Sequence, residues 1–278
     1  MILNSIFGIA KKEILDNVRN KWIIILTIIF TSLTLVVSYF GYIFSQGWQD
    51  FGVTIGGMMS LVQFLIPIIG LMLGYAAIIG EIEKGSMSSL LSLPINRIEI
   101  IMGKFLGLGC VLSFTTFIGF GVAGIVIAAN VANVNYSDYL IFIGSTILLG
   151  LMFVSLALFF STLFKKRSTS MGGAILLWFL FNMILPLVFV GIMIASTSFE
   201  NITSGTFPEW YYILELINPI SVYSALISLN VGPVSTMQGT FSVSYPSFYS
   251  SGLMILILII WIVSFLLLAF WRFDRRDI

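Results

Sequence analysis

The chain has no histidine, and only one of its 278 residues, Cys110, is cysteine. Without histidine there can be no Ser-His or Cys-His nucleophilic pair and no imidazole metal site. A single cysteine excludes an intrachain disulfide framework. Charge is scarce too. Only 9% of residues are Asp, Glu, Lys or Arg, against about one quarter in ordinary soluble proteins. The net charge of +1 is not gathered into a basic stripe, which removes nucleic acid as a partner. The nearest approach to a phosphate loop, Gly80-x-x-x-x-Gly85-Ser86, lacks the lysine such a loop needs, and Glu81 and Glu83 would repel phosphate. No other such loop occurs, so this chain has no nucleotide site of its own.

What remains is hydrocarbon. Hydrophobic residues make up 59% of the chain and mean hydropathy is +1.08. Uncharged runs cover 22–49, 51–80, 105–137, 139–164, 168–199 and 216–271. About 20 apolar residues suffice for a helix to cross a bilayer. The pattern predicts an all-α fold: one polytopic transmembrane domain over 1–278, with spans near 22–44, 58–80, 105–129, 139–163, 171–195 and 251–271. Asn218-Pro219 and Gly232-Pro233 cut the first part of the last run into pieces too short to span. One crossing is therefore expected there.

The charges orient these spans. In the six-span arrangement all 13 Lys and Arg residues fall in 1–21, 81–104, 164–170 and 272–278. Asp50, Asp138, Glu200, Glu209 and Glu215 fall on the other side, with no base among them. The positive-inside rule then places both termini in the cytoplasm of a cell-membrane protein. No predicted span carries an ionisable side chain other than tyrosine or cysteine. This weighs against an ion-coupled carrier, a channel or an intramembrane enzyme.

Residues 1–21 are apolar at Ile2, Ile6, Ile9, Ala10, Ile14 and Val18, with charges between, as an interfacial amphipathic helix would be. No A-x-A site marks it for cleavage. In span two Gly70 and Gly74, beside Pro67, read as helix-packing positions, as do Gly107, Gly109, Gly119, Gly121 and Gly124 in span three. Pro186 is expected to kink span five, with a neighbour satisfying the freed carbonyl. The extracytoplasmic segment 196–250 carries Trp210, Tyr211 and Tyr212, residues that anchor at the headgroups. Ile213, Leu216, Ile217 and Ile220 recur there at helical spacing, suggesting a re-entrant or interfacial hairpin. It reads equally as an outer gate, a partner-binding cap or a lipid anchor. Asn135 and Asn201 match the glycosylation acceptor pattern on that same side.

The segment 81–104 is the longest stretch in which charges keep recurring between two apolar runs. Met87, Leu90 and Leu91 fall at i, i+3 and i+4, with Lys84, Ser88 and Ser92 as a polar stripe, and Pro94 ends the pattern. A short helix tied to two spans is suited to sit in a groove on a soluble partner.

Gly80-Glu81-x-Glu83-x-Gly85-Ser86, then Leu90-Leu91-Ser92-Leu93-Pro94, Arg97 and Gly103-Lys104-Phe105 resemble the signature of ABC-2 type permeases. Within that family the likeness is to the NosY-like branch associated with multicopper enzyme maturation. It extends to Ala10-Lys11-Lys12-Glu13, Arg19-Asn20-Lys21-Trp22, Asn218-Pro219 and the basic tail Arg272–Arg276. The resemblance implies a homodimer working with separately encoded ABC ATPase subunits, with ATP and Mg used there and no cofactor, metal or catalytic residue in this chain. It implies that 1–21 is an elbow helix and that Glu81–Leu93 is a coupling helix in an ATPase groove. The coupling residues would be Glu81, Glu83, Gly85, Ser86, Leu90, Leu91, Pro94, Arg97 and Lys104, with Lys165–Arg167 a second contact and 196–250 a seat for an extracytoplasmic partner. Export is the implied direction. Copper as cargo would call for Met, Cys or His along the path. Met58, Met59, Met72, Met152, Met183 and Met193 read better as filler. The rival from another class is a non-transporting membrane scaffold that recruits a soluble partner through 80–104.

Overall fold

A computed structural model describes residues 2–19, 21–44, 51–130, 135–196, 207–231, 235–236, 239–240 and 245–276. In hydrocarbon the backbone can satisfy its polar groups only from within, so long apolar runs become helices. Among the described residues the order is α1 (Ile2–Val18), α2 (Lys21–Phe44), α3 (Phe51–Gly74), α4 (Ile79–Glu83), α5 (Ser86–Leu91), α6 (Arg97–Asn130), α7 (Tyr136–Leu163) and α8 (Arg167–Phe179). A π-helical turn, Leu180–Ile184, leads into α9 (Leu185–Ser196). Then come α10 (Glu209–Glu215), α11 (Pro219–Val231), a two-residue antiparallel pairing of Ser235–Thr236 with Gly239–Thr240, and α12 (Ser251–Asp274).

Among the described residues five stretches are long and apolar enough to cross a membrane: Ile55–Glu83, Arg97–Val126, Tyr136–Leu163, Arg167–Ser196 and Ser251–Asp274. They coincide with the second to sixth expected spans. The first expected span falls on α2, a helix of 24 residues. α10 and α11 meet at 114° as a bent pair, the hairpin expected within 196–250. Asp50, Glu200 and Asn201 lie outside the described residues. Asn135 caps α7, its side chain accepting from the Ser137 amide at 3.1 Å.

α7 is the centre of the bundle, packed against α3, α6, α11 and α12. Close approach is bought with glycine. A Cβ on Gly74 would stand 2.6 Å from the Ala157 Cβ, and one on Gly70 would meet the Gly150 carbonyl at 3.1 Å. Gly119 makes room for Phe30, and Gly124 for Tyr139. The rings of Phe30, Phe120 and Phe142 then meet edge to face at 5.1 and 5.0 Å, joining α2, α6 and α7. The Tyr139 hydroxyl donates to the Phe120 carbonyl at 2.6 Å. Gly121, by contrast, has nothing within 4 Å and is no packing position within this subunit.

α11 is fastened to the bundle by polar contacts. Gln63 Nε2 of α3 donates to Ser224 Oγ at 2.8 Å, and the hydroxyls of Thr146 and Tyr223 lie 3.0 Å apart. Ser251 Oγ of α12 donates to Asn230 Oδ1 at 3.2 Å. Tyr212 is not a headgroup anchor. It is 3% exposed within a ring cluster with Phe207, Tyr245 and Tyr249, and its carbonyl accepts from the Tyr249 hydroxyl at 2.7 Å.

α8 and α9 are held least. Their buried residues are Ser170, Ala174, Phe189 and Met193, with Phe181 from the π turn. The π turn ends just upstream of Pro186, where a kink is expected.

Replacing Gly74 with leucine is expected to lower stability in detergent by about 1–3 kcal/mol, because neither backbone can yield. Gly144→Leu, where nothing lies within 4 Å, is expected to leave the thermal midpoint unchanged.

Candidate functional site

The segment joining α3 to α6 folds as two short helices, not as the single helix expected over Glu81–Leu93. Gly85 separates them with φ of 74°, a left-handed conformation that costs glycine little. It ends α4 and redirects the chain into α5. Met87 is fully buried, with Leu90 and Leu91 partly buried, against Ile78, Ile100, Ile101 and Phe273. That is the apolar stripe read from the sequence. The opposite face is exposed along Lys84, Gly85, Ser86, Ser88, Ser89, Ser92, Leu93 and Pro94.

The joint between α3 and α4 is held by two serines. The chain leaves α-helical geometry after Gly74, freeing main-chain groups that must find partners. Ser161 Oγ at the end of α7 accepts from the amides of Ile78 and Ile79 at 2.9 and 3.0 Å. Ser170 Oγ of α8 donates to the Tyr75 carbonyl at 2.8 Å.

Beside this joint lies a network of charges. Gly103 and Gly107 of α6 admit α1: a Cβ on Gly107 would stand 2.6 Å from the Glu13 Cβ, and one on Gly103 would stand 2.7 Å from the Ile9 Cβ. That contact brings Glu13 to Lys104, which is 1% exposed and forms an ion pair with it. Lys104 Nζ also lies 3.1 Å from Glu81 Oε2, and Lys12 Nζ donates to Glu81 Oε1 at 2.8 Å. Burial works against the charge on Lys12, but the Glu81 hydrogen bond and charge prevail and hold the ammonium above its ordinary pKa of 10.5. The network ties α1, α4 and α6 into one piece.

Two arginines extend it. Arg167 Nε pairs with Glu83 Oε2 at 2.7 Å, its amide donates to Glu83 Oε1 at 2.9 Å, and its Nη2 donates to the Gly80 carbonyl at 2.8 Å. Arg97 donates to the carbonyls of Phe273, Asp274 and Arg276, the last two at 3.0 and 2.8 Å. Phe273 and Asp274 end α12, and Arg276 lies just beyond it. The Arg97 guanidinium also lies 5.4 Å from the Phe273 ring centroid. Arg276 in turn donates to the Thr162 carbonyl at 3.0 Å.

The nine residues singled out in the sequence thus divide. Glu81, Glu83, Arg97 and Lys104 turn to partners within the chain. Leu90 and Leu91 pack beneath α5. Gly85, Ser86 and Pro94 are on the exposed ridge. Lys12, Glu13, Ser161, Arg167 and Ser170 complete the site and were not among them. The spacing Gly103-x-x-x-Gly107 was the available signal for Glu13, since a helix must lie where two small residues face out. An apolar cavity of about 180 Å³ opens between α3 and α8, walled by Leu71, Met72, Tyr75, Met171 and Trp178. Met58 and Met152 are fully buried core residues.

The family profile of the ABC-2 family transporter proteins matches residues 7–278. The chain belongs to the ABC-2 transporter family. It is 33% identical over 279 residues to the probable ABC transporter permease protein NosY of Pseudomonas aeruginosa, covering 98% of this chain and 99% of that protein. It is 32% identical over 280 residues to the protein of the same description from Stutzerimonas stutzeri, covering 99% of each. Family and apolar helices together make it a multi-pass ABC transporter permease of the plasma membrane.

In this ABC-2 permease, Lys104→Met leaves the buried Glu13 carboxylate without its cation, while Glu81 keeps Lys12. It is expected to destabilise the chain by roughly 3–5 kcal/mol in detergent unfolding. Glu83→Gln breaks a half-exposed pair and should cost under about 1 kcal/mol.

Proposed function

We propose that this chain is the transmembrane subunit of an ABC transporter that moves its substrate outward, driven by ATP hydrolysis in a separately encoded ABC ATPase. It does no bond chemistry, and ATP and Mg belong to that partner. α2 supplies the first of six crossings, both termini face the cytoplasm, and two copies form the transporter.

The observation that carries this reading is the ridge Lys84–Pro94, exposed on one side and braced on the other. Seated in an ATPase groove, it would be a lever. α3 and α6 follow it directly. α7 is tied to it through Ser161, α8 through Arg167 and Ser170, and α12 through Arg97. Closure of the ATPase pair would then tilt five helices together. α1 acts as the elbow helix locked to the lever by Glu13 and Lys12, and exposed Lys165 and Lys166 are a second contact. The α10–α11 hairpin closes the outer mouth and is where an extracytoplasmic partner would sit. The apolar cavity between α3 and α8 favours an apolar or amphipathic cargo, since Met72 and Met171 without histidine make a poor copper path.

The test is co-purification with the ATPase. Ser88→Arg with Ser89→Arg alters only exposed positions and is expected to weaken ATPase binding by about tenfold or more, ~1.4 kcal/mol, at unchanged thermal stability. If the ATPase stays bound and its turnover in liposomes is unaltered, the ridge is not the docking element.

A further inference from the structure

The π turn of span five, Leu180–Ile184, stands next to a proline, which interrupts its main-chain hydrogen-bond register. In π-helical register each amide donates five residues back. The Leu185 amide does so, to the Leu180 carbonyl. The next donor in that register would be residue 186, with the Phe181 carbonyl as acceptor. Residue 186 is proline and has no N–H. A carbonyl orphaned at that depth needs another donor. Asn218, fully buried, supplies it: its Nδ2 donates to the Phe181 carbonyl at 2.8 Å.

Asn218 is also the last of the three residues between α10 and α11, and its Oδ1 accepts from the Ile220 amide at 3.0 Å, capping α11. One side-chain amide therefore joins the bend of span five to the hinge of the outer hairpin. The remaining surroundings make that join matter. Span five packs little against the rest of the subunit, whereas α11 is bonded to α3, α7 and α12 through Ser224, Tyr223 and Asn230. The apolar cavity lies between α3 and α8, on the α8 side of the π turn.

We propose that Asn218 is a positioning residue for transport: it replaces the amide that Pro186 lacks, and so pins a hinge in span five to the outer hairpin. With the pin in place, α8 swings about the π turn and changes the width of the cavity while the outer hairpin follows. Without it, the two halves of span five move independently of the hairpin. This rests on the permease reading for the motion, but the pin itself does not need that reading.

The two are tested separately. For the pin, thermal unfolding of the full chain in detergent is compared for Asn218→Ala, Pro186→Ala and the double variant. Asn218→Ala is expected to lower the midpoint by several degrees by leaving a buried carbonyl unpaired and α11 uncapped, and Pro186→Ala, which returns an amide to position 186, is expected to remove the carbonyl's share of that loss. Additive losses overturn the pin. For the motion, Cys110 is replaced by serine and a thiol is placed on the cavity wall as Met72→Cys. Its maleimide labelling is followed in the chain bound to its ATPase, without nucleotide and with ATP and vanadate. The labelling rates are expected to differ between the two states, to become equal in Asn218→Ala, and to differ again in Asn218→Ala with Pro186→Ala, which restores the amide but not the cap. A nucleotide-dependent difference that survives Asn218→Ala overturns the proposal. If the unsubstituted chain binds no ATPase, the permease reading fails, while the unfolding cycle still decides the pin.

Discussion

A lysine ammonium with 1% of its surface exposed has to be answered by carboxylates, or the chain cannot keep it charged. Lys104 is answered from two directions, by Glu13 of α1 and Glu81 of α4. Because neither neighbour is near it in sequence, satisfying one charge fixes three elements. α1 is drawn against Gly103 and Gly107, α4 is set beside the end of α3, and α5 is left with one apolar face to bury and one polar face to present. The serines and arginines around it repeat the same logic with main-chain groups. Ser161 and Ser170 take up what the break after Gly74 releases, and Arg97 ties the start of α6 to carbonyls at the end of α12.

The opposite end of the bundle, around α11, is built on different terms. There the partners are hydroxyls, amides and rings, and net charge is absent from the bonds that hold α11. Such bonds are each worth on the order of 1 kcal/mol inside a bundle, and they can be exchanged more readily than a buried ion pair. A stiff charged end and a more adaptable polar end suit the proposed lever. Force would enter where the structure is least able to deform, and the cavity and hairpin would respond where it is most able to.

Much of this was legible in the sequence, for identifiable reasons. Charges are so rare that their positions alone marked which loops share an end, and proline and glycine marked where helices stop. The stripe of Met87, Leu90 and Leu91 reported the buried face of α5 correctly. What could not be read was which charge meets which. Lys104 and Glu13 are brought together by two glycines whose role shows only once α1 is seen against them. For the same reason Glu81 and Lys104, read from the sequence as docking residues, turned out to face inward. The left-handed Gly85 split one expected helix into two, and Asn218 gained its place only because a π turn shifted the register upstream of Pro186.

The central claim is that α1, the α4–α5 lever and α6 move as one body. Its most direct measurement is a pair of spin-label distances in the ATPase-bound chain with Cys110 replaced, without nucleotide and trapped with ATP and vanadate. One pair joins Lys11 to Ser89, both exposed and both at the basic end; the other joins Ser89 to Glu209, exposed on α10. The account predicts that the first distance stays the same between states while the second changes. A change in the Lys11–Ser89 distance would contradict it.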